Sequence, residues 1–185
     1  MTQTFTRMDE STADQWGQIG VESAEAQRHQ GETVLQLLRM LSTVVNGFAV
    51  DQLTHCLQTA TRAERAGADK EVVVASLCHD IGKVVSVPNH GGIAAEILKP
   101  YVREDVYFMI KNHQDFQGRH YYHHFGGDPN ARETHRDELS PKEFELAEQF
   151  ADEWDQLAFD PDYDTLPLSH FEPLVRKVFG QAKVI

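Results

Sequence analysis

The sequence has few cysteines and no long apolar run. Its 185 residues include two cysteines, Cys56 and Cys78, whose separation matches no metal-binding cysteine pair. Each lies beside a histidine in an apolar pattern, so we expect both to be reduced residues of the core. No segment approaches the roughly 20 consecutive apolar residues of a membrane-spanning helix. These absences argue against a disulfide scaffold and a membrane-spanning protein.

Basic residues are also scarce relative to acidic ones. The chain has 17 lysines and arginines against 29 aspartates and glutamates, which gives a formal net charge of −12. Such a chain repels a polyanion unless its basic residues form one patch, and the sequence shows no such patch. We therefore expect no nucleic-acid partner. The start, MTQTFTRMDE, lacks the features of a signal peptide, which predicts a cytoplasmic location.

Apolar residues recur at helical spacing along most of the chain, which predicts an all-α fold. The length, without repeats or low-complexity tracts, favours one domain. Residues 1–30 are polar and irregular, and we interpret them as an N-terminal arm or lid before a helical domain over residues 31–185. Helices are predicted over residues 32–45, 50–68, 69–82, 89–98, 103–113, 140–159 and 169–179.

Short signals mark the ends of these predicted helices. Asn46-Gly47, Gly67 and Gly82 are stop signals, whereas Ser140-Pro141 is typical of a helix start. One long loop, residues 118–139 (GRHYYHHFGGDPNARETHRDEL), separates the helices. Loops of this length in compact domains are often functional.

Histidines and aspartates lie on the apolar faces of four predicted helices. Residues three and four apart share a helix face. By this test, five residues point inward: His79, Asp80, His90, His113 and Asp155. His55 is the weaker case, because it lies on the shoulder of its helix. A single inward histidine is more often a hydrogen-bonded core residue than a metal ligand, but several converging helices favour a ligand set.

Buried carboxylates and imidazoles need partners, because an isolated one costs several kcal/mol. The inner helix faces offer few lysines or arginines, so a metal ion is the energetically more favourable partner. Imidazole nitrogen and carboxylate oxygen together suit iron, manganese or zinc. The donor types alone do not choose among these metals.

The motif CHDIGK resembles the HD-domain superfamily when it is taken together with two distant residues. His55 in LTHCLQTA lies 24 residues before His79, and Asp155 in EWDQLAF lies far beyond Asp80. In the superfamily, this pattern binds a metal inside a helical bundle. His90 and His113 fall where dinuclear members carry two further histidines. The resemblance covers about residues 47–180 and implies a dinuclear site in the bundle core.

Within the superfamily the chain resembles the mixed-valent diiron oxygenases, a group that includes myo-inositol oxygenase and 2-amino-1-hydroxyethylphosphonate dioxygenase. The resemblance implies an iron(II)/iron(III) pair bridged by Asp80, and O2 as co-substrate. It implies a small anionic hydroxyphosphonate as substrate, with Asp80 and Lys83 as catalytic residues. One iron would be held by His55, His79 and Asp155, and the other by His90 and His113. We expect a monomer or small homo-oligomer.

The substrate-binding residues of the phosphonate enzyme are only partly present. Val45 and Phe48 stand where it has a tyrosine and a glutamate that faces an ammonium group; Gln117 and Asp152 stand where it has a lysine and an arginine. An aromatic ring at Phe48 suits a quaternary ammonium through its face. The predicted substrate is therefore 1-hydroxy-2-(amino or trimethylammonio)ethylphosphonate, which would give phosphate and glycine or glycine betaine.

Several other residues complete the predicted site. Arg132 and Arg136 are further cations that could bind the phosphonate. Purely structural interpretations of these residues stay open. Phe48 could pack under the first helix, Lys83 could be an exposed lysine at a helix end, and RHYYHHF could be a solvated loop. The predicted substrate-binding residues are Phe48, Gln58, Lys83, Gln117, Arg119, His120, His123 and His124.

Two other function classes fit the same metal-ligand pattern. A metal-dependent HD phosphohydrolase acting on a nucleotide or a small phosphate ester would need only a metal-activated water. A helical module stabilised by metal, without catalysis, would need no substrate cavity. Dependence of phosphate release on O2 separates the first of these from an oxygenase.

Overall fold

A computed structural model describes residues 4–45 and 47–183, which form an all-α fold. Within these ranges there are nine α-helices and no strand, so the predicted fold class is confirmed. In the part of the chain described, no helix is long and apolar enough to cross a membrane. The α-helices, numbered in chain order, are α1 Ala13–Arg28, α2 Gln30–Met40, α3 Gln52–Arg65, α4 Lys70–Cys78, α5 His90–Leu98, α6 Glu104–Lys111, α7 His113–Gln117, α8 Pro141–Gln149 and α9 Leu168–Phe179.

The core is built by pairs of helices packed face to face. Helix α3 packs against α4, α5 against α6, and α2 against α9. Apolar side chains of these helices are fully buried, including Leu38, Val74, Ile110 and Phe179. Both cysteines, Cys56 and Cys78, are buried and unpaired in this core, as predicted. Burial of this apolar surface is the main term that stabilises the bundle.

Local sequence signals explain where several helices begin and end. The Asp51 side chain accepts a hydrogen bond from the Thr54 backbone N–H at 3.0 Å and so caps α3. After α3, Gly67 adopts φ +82°, a conformation that favours glycine. Ser140 caps α8 with a capping box, and Pro141 takes its first position. Helices α3, α5 and α9 lie where the sequence predicts them.

The prediction of an irregular N-terminal segment is wrong, because α1 spans most of it. Thr12 caps α1 with a capping box to Gln15, which supplies a start signal close to the chain terminus. No residue of α1 is buried, so this helix contributes nothing to the core. Residues 1–3 lie outside the described residues, as do 184 and 185. The role of residues 1–30 as an arm or lid, and the domain boundary after them, stay predictions.

The next helix also ends earlier than its periodicity predicts. Helix α2 stops at Met40 and is followed by a 3₁₀ turn over Leu41–Thr43. The predicted stop at Asn46-Gly47 rests partly on Asn46, which lies outside the described residues. Val45 has φ 51°, so the chain has left the helix by that position.

Three further helices end or change character beside the polar residues of the interior, where the sequence predicts continuous helices. Helix α4 stops at Cys78, before His79 and Asp80, and a 3₁₀ turn covers Ile81–Val84. Helix α6 stops at Lys111, and α7 begins at His113. Helix α8 continues as a π-helical segment over Phe150–Asp155. Apolar periodicity does not detect these breaks, because buried residues recur on both sides of each one, as with Ile110 and His113 around the second.

The loop over residues 118–139 is less irregular than predicted. It contains three 3₁₀ turns, Gly118–His120, Tyr122–Phe125 and Ala131–His135. The second turn ends at Gly126, whose φ of 73° favours glycine. The loop therefore presents its aromatic and histidine side chains from a series of short turns.

Gly82 brings two parts of the interior into close contact. A Cβ atom at this position would lie 2.2 Å from the backbone oxygen of His90 and 2.7 Å from its Cα. Both contacts are with backbone atoms, which cannot move aside as a flexible side chain can. The turn that carries Asp80 therefore reaches the start of α5 only because residue 82 is glycine.

We expect Gly82→Ala to lower the free energy of unfolding by about 1–3 kcal/mol, because the added methyl group forces this turn away from α5. Gly20→Ala is the matched control, since nothing lies within 4 Å of a Cβ at Gly20 inside α1. The control should cause no loss of stability. Chemical denaturation of both variants measures the difference, and equal stabilities would contradict the close approach.

Candidate metal centre

Six histidine and aspartate side chains converge in the centre of the bundle. All are buried, with the residue exposures at most 6 %, the value for His90. The interpretation of His55 as lying on the helix shoulder is wrong, because this residue is only 1 % exposed. The prediction that the inward residues meet in space agrees with these positions. The six residues are His55, His79, Asp80, His90, His113 and Asp155.

Helix ends and irregular turns position most of these side chains. His79 and Asp80 follow the last residue of α4, and His90 and His113 are the first residues of α5 and α7. Asp155 is the last residue of the π-helical segment. Such segments occur frequently at functional sites, because they shift side chains off the regular helical register.

Backbone carbonyl groups fix the orientation of all four imidazole rings. In each histidine, Nδ1 lies within hydrogen-bond distance of a carbonyl oxygen, so Nδ1 carries the proton and donates it. The Nε2 lone pair of each ring is thereby left to face the centre of the bundle, as is typical of metal-ligating histidines. The pairs are His55 with Ala158 at 2.9 Å, His79 with Ser76 at 2.8 Å, His90 with Val87 at 2.7 Å and His113 with Ile110 at 2.7 Å.

The Nε2 atoms form two groups, each with a carboxylate oxygen. His55 and His79 lie 3.1 and 3.4 Å from Asp155 Oδ1, and their own Nε2 atoms are 3.1 Å apart. His90 and His113 have Nε2 atoms 3.1 Å apart, beside Asp80. Ligand atoms of each group lie within 4.8 Å of one another, close enough to hold one metal ion per group.

Asp80 joins the two groups through its two carboxylate oxygens. Oδ1 is 3.0 Å from His90 Nε2 and 3.7 Å from His113 Nε2. Oδ2 is 3.5 Å from the Nε2 atoms of His55 and His79. One oxygen therefore faces each group, which is the geometry that a bridging carboxylate between two metal ions needs.

The electrostatics of the centre favour a cation. Burial alone would lower the pKa of His79, but the carboxylates of Asp80 and Asp155 outweigh it and raise this pKa well above its ordinary value. Burial alone would raise the pKa of both aspartates, yet the charge of His79 holds each well below its ordinary range. His113, farther from Asp155, keeps a lowered pKa through burial. Both carboxylates are therefore ionised, and their charge favours a cation at His79, which a metal ion would supply in place of a proton.

The residues present fit a metal ion. Both oxygens of Asp155 are buried without a hydrogen-bond partner among the described residues, which is costly for an ionised group. Paired Nε2 lone pairs at 3.1 Å repel each other unless a proton or a metal ion lies between them. Metal–imidazole bonds of about 2.0–2.1 Å place neighbouring ligands about 3 Å apart, which agrees with these separations. Nitrogen and oxygen donors of this kind suit iron, manganese or zinc.

The chain belongs to the HD domain family. The model of this family, described as the HD domain, matches residues 53–160, more than half of the chain. This match includes all six convergent residues. HD domain proteins are typically metal-dependent enzymes that bind divalent metals, and the buried histidines and aspartates could hold such ions. No curated protein matches the chain.

A cavity of about 450 Å³ opens onto this centre. His55, His79, Asp80 and His90 form part of its wall, so a ligand in the cavity would reach the metal-binding atoms. Its size is within the range of small-molecule sites. The remaining lining residues are Phe48, Lys83, Gln117, His120, Tyr121, His124, Phe125, Gln156 and Phe159.

Five of the eight predicted substrate-binding residues line this cavity. Phe48 is 51 % exposed and stacks on Phe159 with 5.1 Å between ring centres, so it does not pack into the core under the first helix. Lys83 Nζ lies 2.5 Å from Asp80 Oδ2, with only 13 % of its side chain exposed, which excludes a freely solvated helix-end lysine. The others are Gln117, His120 and His124.

The structure places the other three away from the cavity, which corrects the prediction for them. Gln58 is buried and bonds the backbone of Asp160 through both ends of its amide, at 2.6 and 3.2 Å. This side chain therefore anchors the segment after the π-helical turn. Arg119 and His123 are exposed and absent from the cavity lining.

A charged network holds His120 at the edge of the cavity. His120 Nε2 is 2.8 Å from Asp152 Oδ1, and Arg132 Nη1 is 3.0 Å from Asp152 Oδ2. Arg132 is only 3 % exposed and also pairs with Glu148 at 3.4 Å. Arg132 therefore binds protein carboxylates instead of a ligand. Arg136 pairs with Glu133, outside the cavity.

Sequence reasoning missed several cavity residues. Phe159 stacks on the His55 ring at 4.2 Å between centres and on Phe48, and Tyr121, Phe125 and Gln156 complete the wall. Phe159 lies four residues after the predicted metal-binding residue Asp155, and this closeness in sequence could have predicted its place near the site. Tyr121 and Phe125 belong to the loop identified as functional, but nothing local distinguishes them from its exposed residues.

We expect Asp80→Ala to lose both metal ions, because its two oxygens serve both groups. His113→Ala should deplete mainly one, since the group of His55, His79 and Asp155 stays complete. Metal content per chain after purification under identical conditions measures the difference. Equal loss in the two variants, with both folded by circular dichroism, would contradict the bridging role of Asp80.

Proposed function

We propose that this protein is an O2-dependent oxygenase with two iron ions that cleaves the carbon–phosphorus bond of a small 1-hydroxy-2-(amino or trimethylammonio)ethylphosphonate. The products would be phosphate and glycine or glycine betaine. The observation that supports the proposal most is the pair of three-residue groups joined by Asp80. A donor set of four imidazoles and two carboxylates suits two iron ions at one cavity.

In this proposal, His55, His79 and Asp155 would hold one iron, His90 and His113 would hold the other, and Asp80 would offer one oxygen to each. When bound, the iron pair would supply the electrons and the Lewis acidity that O2 chemistry requires. The protein residues would bind and orient the substrate. Lys83 is the cation nearest the centre, and its ammonium can pair with an oxyanion of the substrate. His120 offers a second polar contact at the cavity edge.

The aromatic residues of the cavity suit the cationic end of the substrate. Phe48 and Phe159 stack at 5.1 Å, and both line the cavity together with Tyr121 and Phe125. Aromatic faces attract a quaternary ammonium and exclude water around it. Lys83 contacts the metal-binding residue Asp80, and the exposed rings of Phe48 and Phe125 line the same cavity, so an anionic head and a cationic tail of one substrate would each find a partner.

Phosphate release from 1-hydroxy-2-aminoethylphosphonate and its trimethylated analogue tests this proposal. We expect the iron-loaded protein to release phosphate from at least one of them only when O2 is present, with about one O2 consumed per phosphate. Phosphate and O2 are measured in parallel on the same sample.

The same preparation, loaded with manganese or magnesium and given phosphate esters without O2, provides the comparison with a phosphohydrolase. Ester hydrolysis that does not depend on O2, with no release from either phosphonate, would refute the oxygenase proposal in favour of the hydrolase. Asp80→Ala should be inactive in both assays and controls for contaminating phosphatase.

We expect Phe48→Glu to shift the preference from the trimethylammonio substrate toward the primary amine by about tenfold or more in kcat/KM. The carboxylate can pair with –NH3⁺, whereas trimethylammonium offers no N–H donor and loses the aromatic face. Phe48→Leu is the matched control, which keeps the site apolar and should weaken the trimethylammonio substrate without improving the amine. An unchanged ratio of kcat/KM in both variants would show that Phe48 does not contact the substrate tail.

A further inference from the structure

The ammonium group of Lys83 is held between two acceptors of different charge. Its Nζ lies 2.5 Å from Asp80 Oδ2 and 2.7 Å from the side-chain oxygen of Gln52, Oε1. Lys83 lines the cavity, whereas Gln52, the first residue of α3, is 0 % exposed. Gln52 therefore touches the cavity only through Lys83.

The Gln52 side chain is poorly suited to a purely structural role. Its amide nitrogen, Nε2, is buried and has no hydrogen-bond partner within residues 4–45 and 47–183. A buried donor without an acceptor is costly. A glutamate at this position would pair with Lys83 by charge and would leave no such donor unsatisfied. If the only role of residue 52 were to hold Lys83, glutamine would therefore be less favourable for stability than glutamate.

A neutral acceptor has one property that a carboxylate lacks, because it fixes the ammonium group without neutralising it. The other acceptor, Asp80 Oδ2, faces His55 and His79 at 3.5 Å and would be shared with a metal ion. A shared carboxylate oxygen binds an ammonium group less strongly, since a metal ion draws on the same negative charge. Gln52 would then be the main protein partner of Lys83.

We propose that Gln52 is a positioning residue that holds the Lys83 ammonium at the cavity and keeps its positive charge available to an oxyanion, such as phosphate or phosphonate. This inference rests on the proposed function only in taking Lys83 as the group that meets the anionic part of the substrate. Gln52 itself does not line the cavity, and its side chain makes no hydrogen bond to the six convergent residues.

Binding of inorganic phosphate to the metal-loaded, full-length protein tests this proposal without any need for turnover. Isothermal titration calorimetry is carried out on the wild type, Gln52→Glu, Lys83→Met and the double variant. We expect Gln52→Glu to weaken phosphate binding about tenfold, because the carboxylate neutralises Lys83. In the Lys83→Met background the same substitution should have little further effect, since the group through which it acts is gone.

A second variant, Gln52→Met, removes the acceptor without adding charge. It should weaken phosphate binding by about threefold, because Lys83 loses its neutral anchor. Thermal unfolding and metal content, measured on every variant, identify those that are not folded and loaded. Phosphate affinity of folded Gln52→Met equal to that of the wild type would overturn the proposal.

Two other results would also overturn it. One is an equal effect of Gln52→Glu with and without Lys83, which would mean a general field effect of the added charge. The other is no measurable phosphate binding by the wild type. Failure of the proposed oxygenase function has a different signature, because phosphate binding would keep its dependence on Gln52 and Lys83 while no phosphonate releases phosphate.

Discussion

The structure depends on the placement of two ionised carboxylates, Asp80 and Asp155, in the apolar centre of a helical bundle. Buried charges cost several kcal/mol unless they are paired, and removal of a partner from such a group is strongly destabilising. Four imidazoles surround these carboxylates, and each is oriented by a backbone carbonyl group. The Nε2 atoms of these rings face the centre, where a cation can bind. This requirement explains why polar residues occupy positions that apolar side chains could otherwise fill.

The interruptions of the helices follow from this requirement. Regular α-helices direct side chains sideways at fixed angles, so few residues of continuous helices can point at one centre. Here the ends of helices and a π-helical segment supply most of the convergent groups. The apolar helices around them, α3 with α4 and α5 with α6, make the frame rigid enough to hold these irregular turns. Packing energy thus supports local geometry that would be unfavourable alone.

The electrostatics of the site differ from those of the whole molecule. A chain of formal charge −12 repels anions at long range, yet a metal pair would dominate the field inside a cavity of about 450 Å³. Lys83 contributes its charge at the same place, between a carboxylate and a neutral amide. Asp152 and Arg132, by contrast, neutralise each other beside His120. An acidic protein can therefore present one cationic site of small volume.

The sequence by itself determined the all-α class, the positions of α3, α5 and α9, and the inward direction of His79, Asp80, His90 and His113. These properties depend on residues three or four apart, which the helical period places together. Tertiary structure alone decided that His55 is buried, that Asp155 ends a π-helical segment, and that Phe159 and Gln52 belong to the surroundings of the site. His55 and Ala158 are 103 residues apart in sequence. Contacts between residues so far apart in sequence depend on how whole helices pack, so local sequence patterns do not predict them.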